Sequence, residues 1–207
     1  MTSNTLDRVY QTSGDADLRE VYDEWALDYD RDLAESGYLT PGRVAETLAA
    51  LVEDRTTPIL DYACGTGLSG AALAEQGFTT IDGADLSAKM LEVAEGLKVY
   101  RQLYLVEPDQ GVLPQIAEYG VITAVGAISK GAAPAVVYDG VLDMMQPGAR
   151  LIISLNDLSL ADAEYGSLVS ASVSAGKARV LSEEHGPHLA KYGKNSGSTI
   201  YVIERLG

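Results

Sequence analysis

The sequence has 207 residues, of which 46% are hydrophobic, and its formal net charge is −15. This length fits one α/β domain spanning residues 1–207, and no run approaches the roughly 20 apolar residues of a membrane span. The strong negative charge argues against nucleic acids and anionic membranes as partners. With no apolar leader at the N-terminus and Cys64 as its only cysteine, the chain is expected to be cytoplasmic.

The first part of the chain predicts a flexible tail followed by a helical cap. Residues 1–16 are polar and show little periodicity, whereas residues 17–53 contain two helical patterns. The first pattern places its apolar residues on one face of a helix: Tyr22, Trp25, Ala26, Tyr29 and Leu33. Gly37 is expected to end this helix, and Thr40 and Pro41 read as the cap and first residue of the second.

From Pro58 onward, short apolar segments alternate with helical patterns. Strands are predicted at residues 59–63, 78–84, 103–106, 121–125 and 150–155, with helices between them. Such alternation predicts a parallel sheet with helices on both faces. A further helix over residues 160–173 and two strands over 178–181 and 199–205 follow. We expect these strands to form an antiparallel hairpin at the edge of a mostly parallel, seven-stranded sheet.

A glycine-rich loop follows the first predicted strand, in the sequence Asp61-Tyr-Ala-Cys-Gly-Thr-Gly67. Gly65 and Gly67 have no β-carbon, so the backbone can turn sharply and approach a ligand at the carboxyl ends of the strands. The carboxylate of Asp61 suits a ligand that carries an ammonium group. Asp85 ends the second strand, where a carboxylate accepts hydrogen bonds from both hydroxyls of a ribose.

The same loop allows a second interpretation. Residues 65–70 also fit the pattern G-x-G-x-x-G, and Asp85 follows Gly65 by 20 positions, as in dinucleotide-binding domains. Two features argue against it: Asp61 would lie near the diphosphate, and the chain contains no Tyr-x-x-x-Lys pair. Neither excludes every nicotinamide-dependent oxidoreductase, so this class remains an alternative.

Three segments together resemble one enzyme family. Residues 59–67 resemble motif I of class I S-adenosylmethionine-dependent methyltransferases, and residues 22–30 resemble the N-terminal helix of many of them. With residues 83–91, the run is similar to methyltransferase-like proteins named after the Williams-Beuren syndrome region. The resemblance covers residues 21–155, and residues 156–207 match no pattern of the family. It implies a Rossmann-like class I fold and S-adenosylmethionine as the cofactor, with S-adenosylhomocysteine as product.

The resemblance also implies where the parts of this cofactor lie. Gly65 and Gly67 would line its methionine part, with Asp61 either near the amino group or ordering the loop. Asp85 would bind the ribose, and the residues just after it would pack near the adenine. The full set of expected cofactor-binding residues is Asp61, Ala63, Gly65, Gly67, Asp85, Leu86, Met90, Glu107, Val125, Tyr22 and Tyr29.

Some of these assignments carry alternatives. Glu107 stands where the family usually has an aspartate near the adenine amino group, although a shifted register would place Asp109 there. Val125 begins the loop expected to face the methyl group. Tyr22 and Tyr29 either close over the cofactor or only pack as an aromatic stripe. A ring facing the sulfonium would gain about 1 kcal/mol from cation–π attraction.

The acceptor of the methyl group is predicted to be a small molecule, attacked in line with the S–CH₃ bond. The cofactor supplies the reactive group, and the protein must align the acceptor and exclude water. Trp25, Asn156 and Asp157 are candidate acceptor contacts. His185 and His188, the only histidines, lie in what reads as a surface turn, and no metal-ligand spacing is recognised. A non-catalytic protein that binds the methyl donor is a further alternative.

Overall fold

The computed structural model describes residues 15–107, 112–129, 132–191 and 196–207. The chain begins there with helices α1 (Asp15–Ser36) and α2 (Thr40–Leu51). Gly37 separates them with a φ of +70°, a left-handed conformation that glycine adopts at little cost. The structure thus has two helices in this region, and Gly37 follows the first of them as the sequence predicted. The predicted tail lies outside the described residues, except that residues 15 and 16 belong to α1.

The rest of the chain alternates strands and helices. The strands are β1 (Ile59–Tyr62), β2 (Ile81–Asp85), β3 (Gln102–Leu105), β4 (Val121–Ala124), β5 (Arg150–Asn156), β6 (Ala178–Pro187) and β7 (Gly197–Arg205). The helices are α3 (Leu68–Glu75), α4 (Ala88–Gly96), a 3₁₀ helix (Pro114–Glu118), α5 (Val136–Met144), α6 (Asp157–Ala161), α7 (Ala163–Gly166) and α8 (Leu168–Ser174).

All seven strands form one sheet in the order β3-β2-β1-β4-β5-β7-β6. The first five strands of this order are parallel to one another, and β7 is antiparallel to both of its neighbours. The mostly parallel, seven-stranded sheet with a C-terminal antiparallel hairpin is thus confirmed. None of the helices in the described ranges combines the length and apolar character that a bilayer span requires.

The sheet is covered on both faces. Every residue of β1 and of β4 is buried, as expected of parallel strands with helices above and below them. Alternate residues of these strands enter two separate core clusters. Leu48 of α2 and Leu73 of α3 belong to one cluster, and Tyr138 and Leu142 of α5 belong to the other. Helices therefore pack against both faces of the sheet, and the ends of its strands are available to form a site.

The prediction was wrong in two places after β5. The single helix expected over residues 160–173 is three short helices, because the side chain of Asp162 accepts a hydrogen bond from the Glu164 N–H and starts a new helix there. Strand β6 continues to Pro187 instead of ending at residue 181. Most of β6 is exposed at the sheet edge, so its sequence lacks the apolar alternation that marks a half-buried strand.

Candidate functional site

A cavity opens at the carboxyl ends of β1, β2 and β4, where ligands bind in open α/β sheets. Helix α1, the start of α2 and the loops after β1 and β4 enclose it. Its lining residues are Tyr22, Tyr29, Tyr38, Pro41, Ala63, Cys64, Gly65, Thr66, Leu68, Ser69, Asp85, Leu86, Met90, Val125, Gly126, Ala127, Ala132 and Ala133. Eight of the predicted cofactor-binding residues thus meet in one place, and Asp85 carries the only formal charge among these described lining residues.

The loop after β1 is built on left-handed backbone. Ala63, Gly65 and Gly67 have φ values of +55°, +55° and +97°. A β-carbon on Gly65 would meet no atom within 4 Å, so the Gly65 backbone is open to the cavity. A β-carbon on Gly67 would lie 2.7 Å from the Leu97 side chain. The structure therefore places Gly67 behind the loop, against α4, and not in the cavity wall where it was expected.

Asp61 lies beneath this loop and is fully buried. Its carboxylate accepts hydrogen bonds from the hydroxyls of Ser69 (2.6 Å), Tyr100 (2.7 Å) and Thr123 (2.9 Å). Burial raises the pKa of Asp61, although these three hydroxyls oppose the shift. Asp61 is not among the described lining residues of the cavity. Of the two roles considered for it, this position fits the ordering of the loop.

Asp85 ends β2 in the cavity wall, with only 9% of its surface exposed. One carboxylate oxygen accepts the Gly65 N–H (2.9 Å) and the other accepts the Ser87 N–H (2.8 Å). Burial raises the pKa of Asp85 to about 6, against the effect of these hydrogen bonds. Because each ionised oxygen can accept more than one hydrogen bond, the carboxylate retains capacity for hydroxyl donors of a ligand.

Helix α1 is fastened over this edge of the sheet by two carboxylates. The Thr66 hydroxyl, in the glycine loop, donates to Asp30. The Ser87 hydroxyl donates to Asp23 and also accepts the Met90 N–H, so the predicted cap of α4 is confirmed. These contacts attach α1 to the two segments that hold Gly65 and Asp85.

Tyr22 and Tyr29 of α1 line the cavity, but Trp25 does not. Trp25 is 4% exposed and lies edge-on to Tyr29, with 4.6 Å between ring centroids, and stacked on Tyr22 at 6.3 Å. Its indole N–H donates to Asp32 (2.9 Å). The structure thus places this candidate acceptor contact behind the two tyrosines, where it supports their rings.

A second cavity adjoins the first across the end of β2. The two share Ala63, Asp85, Leu86 and Ala133. The second is mainly apolar, and its remaining lining residues are Tyr62, Ala84, Val106, Glu107, Val112, Pro134, Val136, Val137, Asp139, Gly140 and Asp143. Glu107 therefore lies in this second cavity, where it also pairs with Arg19 at 3.4 Å. Asp109, the alternative to Glu107, lies outside the described residues.

Asn156 and Asp157, the other candidate acceptor contacts, are not among the described lining residues of either cavity. The Asn156 side chain accepts the Ser159 N–H (2.8 Å) and caps α6. Asp157 binds His185 Nε2 and the Gly197 N–H, both at 2.9 Å. Asn156 thus only caps α6, whereas Asp157, the first residue of α6, joins that helix to the hairpin. The described residues also contain no cluster of His, Cys, Asp and Glu able to hold a metal ion.

Tyr38 and Pro41 line the first cavity and were missed by the sequence analysis. Tyr38 lies in the turn between α1 and α2, outside the apolar stripe of either helix. Pro41 is the second residue of α2 and is buried with Val44 and Leu48, so periodicity marks it as a core position and not as a site residue. Thr66 was also missed, although it stands inside the glycine motif. Its position between two glycines is a signal that could have identified it.

Comparison with known proteins agrees with this geometry. Residues 59–148 match the family model of the methyltransferase domain. Methyltransferase-like protein 27 of Homo sapiens is 37% identical over 133 residues, which is 61% of this chain and 54% of the relative. Ubiquinone biosynthesis O-methyltransferase of Xylella fastidiosa is 31% identical over 107 residues, or 50% of this chain and 43% of the relative. The chain thus spans about half the length of the curated relatives it matches.

A solved structure shows the same fold over nearly the whole chain. The magnesium protoporphyrin IX methyltransferase of Synechocystis, solved with bound S-adenosylmethionine, superposes with a TM-score of 0.65. The match covers 94% of this chain and 100% of that protein at 15% identity, which establishes the fold alone. Residues 59–148 therefore match a methyltransferase domain, and the chain shares its fold with this S-adenosylmethionine-bound methyltransferase.

Proposed function

We propose that this protein binds S-adenosylmethionine across the two adjoining cavities and transfers its methyl group to a small-molecule acceptor. The observation that carries the proposal is the position of Asp85, a buried carboxylate between the two cavities. A ribose held there has space for a planar base on one side and for a sulfonium on the other.

The residues present fit this cofactor. Asp85 can accept the ribose hydroxyls, and the open Gly65 backbone admits a ligand close to the loop. The described lining of both cavities contains carboxylates and neither Lys nor Arg, a composition that suits a cation and disfavours a diphosphate. In addition, β7 lies antiparallel between β5 and β6, unlike the 3-2-1-4-5-6 order of dinucleotide-binding sheets. Both points disfavour the alternative oxidoreductase.

When bound, the cofactor supplies an electrophilic methyl group on a good leaving group. The residues of this chain bind and orient it and exclude water from the reaction. Tyr22 and Tyr29 of α1 cover the site. The hydrogen bond from Thr66 to Asp30 attaches that helix to the glycine loop. An unprotonated amine or a thiolate would attack without a general base, whereas a hydroxyl would require one.

The acceptor side of the first cavity supports a small acceptor of low charge. Its described wall consists of Tyr38, Pro41 and the loop from Val125 to Ala127, which offers aromatic and apolar surface. The net charge of −15 further disfavours a nucleic acid acceptor. A large polymeric anion would have to approach this surface against its electrostatic field.

The test is calorimetric titration with S-adenosylmethionine, S-adenosylhomocysteine and NADH. We expect the first two to bind, Asp85→Ala to weaken both, and NADH not to bind. Asp54→Ala is the matched control, because Asp54 is an acid that lines neither cavity, and it should bind like the parent. Catalysis is then tested by incubating the protein and S-adenosylmethionine with a set of amine, thiol, phenol and carboxylate acceptors and measuring the release of S-adenosylhomocysteine. Tight NADH binding without binding of the sulfonium would overturn the proposal.

A further inference from the structure

The turn between α1 and α2 brings Tyr38 to the loop after β4. A β-carbon built on Gly126 would lie 2.8 Å from the Tyr38 hydroxyl oxygen, so the ring spans the cavity wall to that loop. Gly126 itself has a φ of +64° and donates its N–H to Ser154 Oγ at 2.8 Å. Only a residue without a side chain permits this approach, and Tyr38 and Gly126 therefore form one wall.

The C-terminal hairpin holds Tyr38 in this position. Its ring lies edge-on to His188, with 5.2 Å between centroids and an interplanar angle of 86°. The Leu39 N–H donates to the His188 carbonyl (2.9 Å), and Tyr38 forms an isolated antiparallel bridge with Leu189. The Ala190 N–H donates to the Gly37 carbonyl (2.9 Å). Residues 37–39 and 188–190 are thus joined by both backbone and side-chain contacts.

His188 is itself held by a partly buried polar network. Its Nδ1 lies 2.8 Å from the Thr40 hydroxyl, which lies 3.0 Å from the Ser198 hydroxyl, and Arg43 donates to the same serine at 3.0 Å. Thr40 was predicted to cap α2, but Leu39 takes that position and the Thr40 hydroxyl binds His188 instead. Burial lowers the pKa of His188 to about 4, so the imidazole is neutral near pH 7 and places no positive charge behind Tyr38.

The sheet order indicates what faces this wall. Strands β2, β1 and β4 are neighbours in that order, so the ends of β2 and β4 lie roughly 10 Å apart. In S-adenosylmethionine the adenine is attached to C1′ of the ribose and the sulfur to C5′, so that the two can extend in diverging directions from the sugar. With the ribose at Asp85 and the base in the second cavity, the sulfonium must extend past Gly65 toward the end of β4. Tyr38 and Gly126 lie at that end.

We propose that Tyr38 is the aromatic wall that contacts the sulfonium and the incoming acceptor, and that His188 is the positioning residue that holds it there. This inference rests on the proposed function, because it takes S-adenosylmethionine as the ligand. It assigns a role to the C-terminal hairpin, which lies beyond the matched methyltransferase domain. An aromatic face attracts a sulfonium cation but gains much less from the neutral thioether of S-adenosylhomocysteine.

The experiment measures the ratio of the two dissociation constants, for S-adenosylmethionine and S-adenosylhomocysteine, by calorimetry. Tyr38→Leu should weaken the sulfonium about 5-fold relative to the thioether, whereas Tyr38→Phe, which keeps the ring, should retain the parent ratio. His188→Ala should shift the ratio in the same direction as Tyr38→Leu. His188→Phe should retain the parent ratio, because it keeps an aromatic ring packed against Tyr38 and loses only the contact with Thr40.

Tyr201→Leu is the matched control, since Tyr201 is a half-buried tyrosine on β7 that lines neither cavity. The ratio of the two dissociation constants should be the same for Tyr201→Leu as for the parent. If Tyr38→Leu and His188→Ala weaken both ligands by one common factor, Tyr38 has only a structural role and the inference fails. The same holds if neither ligand is affected. If the parent binds neither ligand, the proposed function fails and this inference fails with it.

Discussion

The ribose contact proposed for Asp85 predicts that affinity for the cofactor depends on pH. The ionised carboxylate accepts hydroxyl donors on both oxygens, whereas protonation turns one oxygen into a donor, and burial raises the pKa of Asp85 to about 6. At pH 7 about nine in ten molecules are ionised, whereas at pH 5 only about one in eleven is ionised. Affinity for S-adenosylhomocysteine should therefore be level above pH 7 and fall roughly 10-fold between pH 7 and pH 5. His188, with a pKa of about 4, stays mainly neutral over this range.

Calorimetry at pH 5, 6 and 7 tests this expectation, with Asp85→Asn as the control. The amide cannot titrate, so the variant should bind more weakly than the parent at pH 7 and with nearly constant affinity throughout. The two curves should approach each other at pH 5. If the variant loses affinity in parallel with the parent, the titrating group is elsewhere and the role assigned to Asp85 is refuted.

Two further predictions concern the buried polar groups beneath the site and in the core. Asp61→Ala should lower the free energy of unfolding by about 3 kcal/mol, because the hydroxyls of Ser69, Tyr100 and Thr123 lose their shared acceptor. Urea unfolding measures this change, and a decrease of less than about 1 kcal/mol would contradict the prediction. Tyr138→Phe and Ser172→Ala should each lower the free energy of unfolding by about 1 kcal/mol, and the double variant should lose less than the sum of the two. The reason is that their hydroxyls lie 2.8 Å apart in the core. Strictly additive values in a double-mutant cycle would show that this hydrogen bond contributes nothing to stability.

The sequence identified the parallel part of the fold because its signals are local. Central strands such as β4 are continuously apolar, and Ser87 caps α4 with its own side chain. The glycine loop and Asp85 were located for the same reason, since left-handed backbone and strand ends have residue preferences. In these regions each local preference agrees with the tertiary structure.

Residues whose role depends on distant partners could not be placed in this way. Tyr38 enters the site because residues 188–190, far along the chain, pair with the turn that holds it. His188 was predicted to lie in a surface turn, yet it is half-buried and its ring packs against Tyr38 of that same turn between α1 and α2. Asp61 is adjacent to the glycine loop in sequence, but it is buried beneath that loop. There its carboxylate accepts hydrogen bonds from hydroxyls of three other segments. Contacts of this kind cannot be predicted from local sequence patterns.

The position of β7 between β5 and β6 has a consequence for how the protein is made. Strand β6 leaves the ribosome before β7, yet its partner in the sheet is β7 and not β5. Until residues 197–205 have emerged, β5 presents an unpaired, apolar edge, and such an edge invites pairing with other chains. We therefore expect a ribosome stalled before residue 197 to display a nascent chain that chaperones bind.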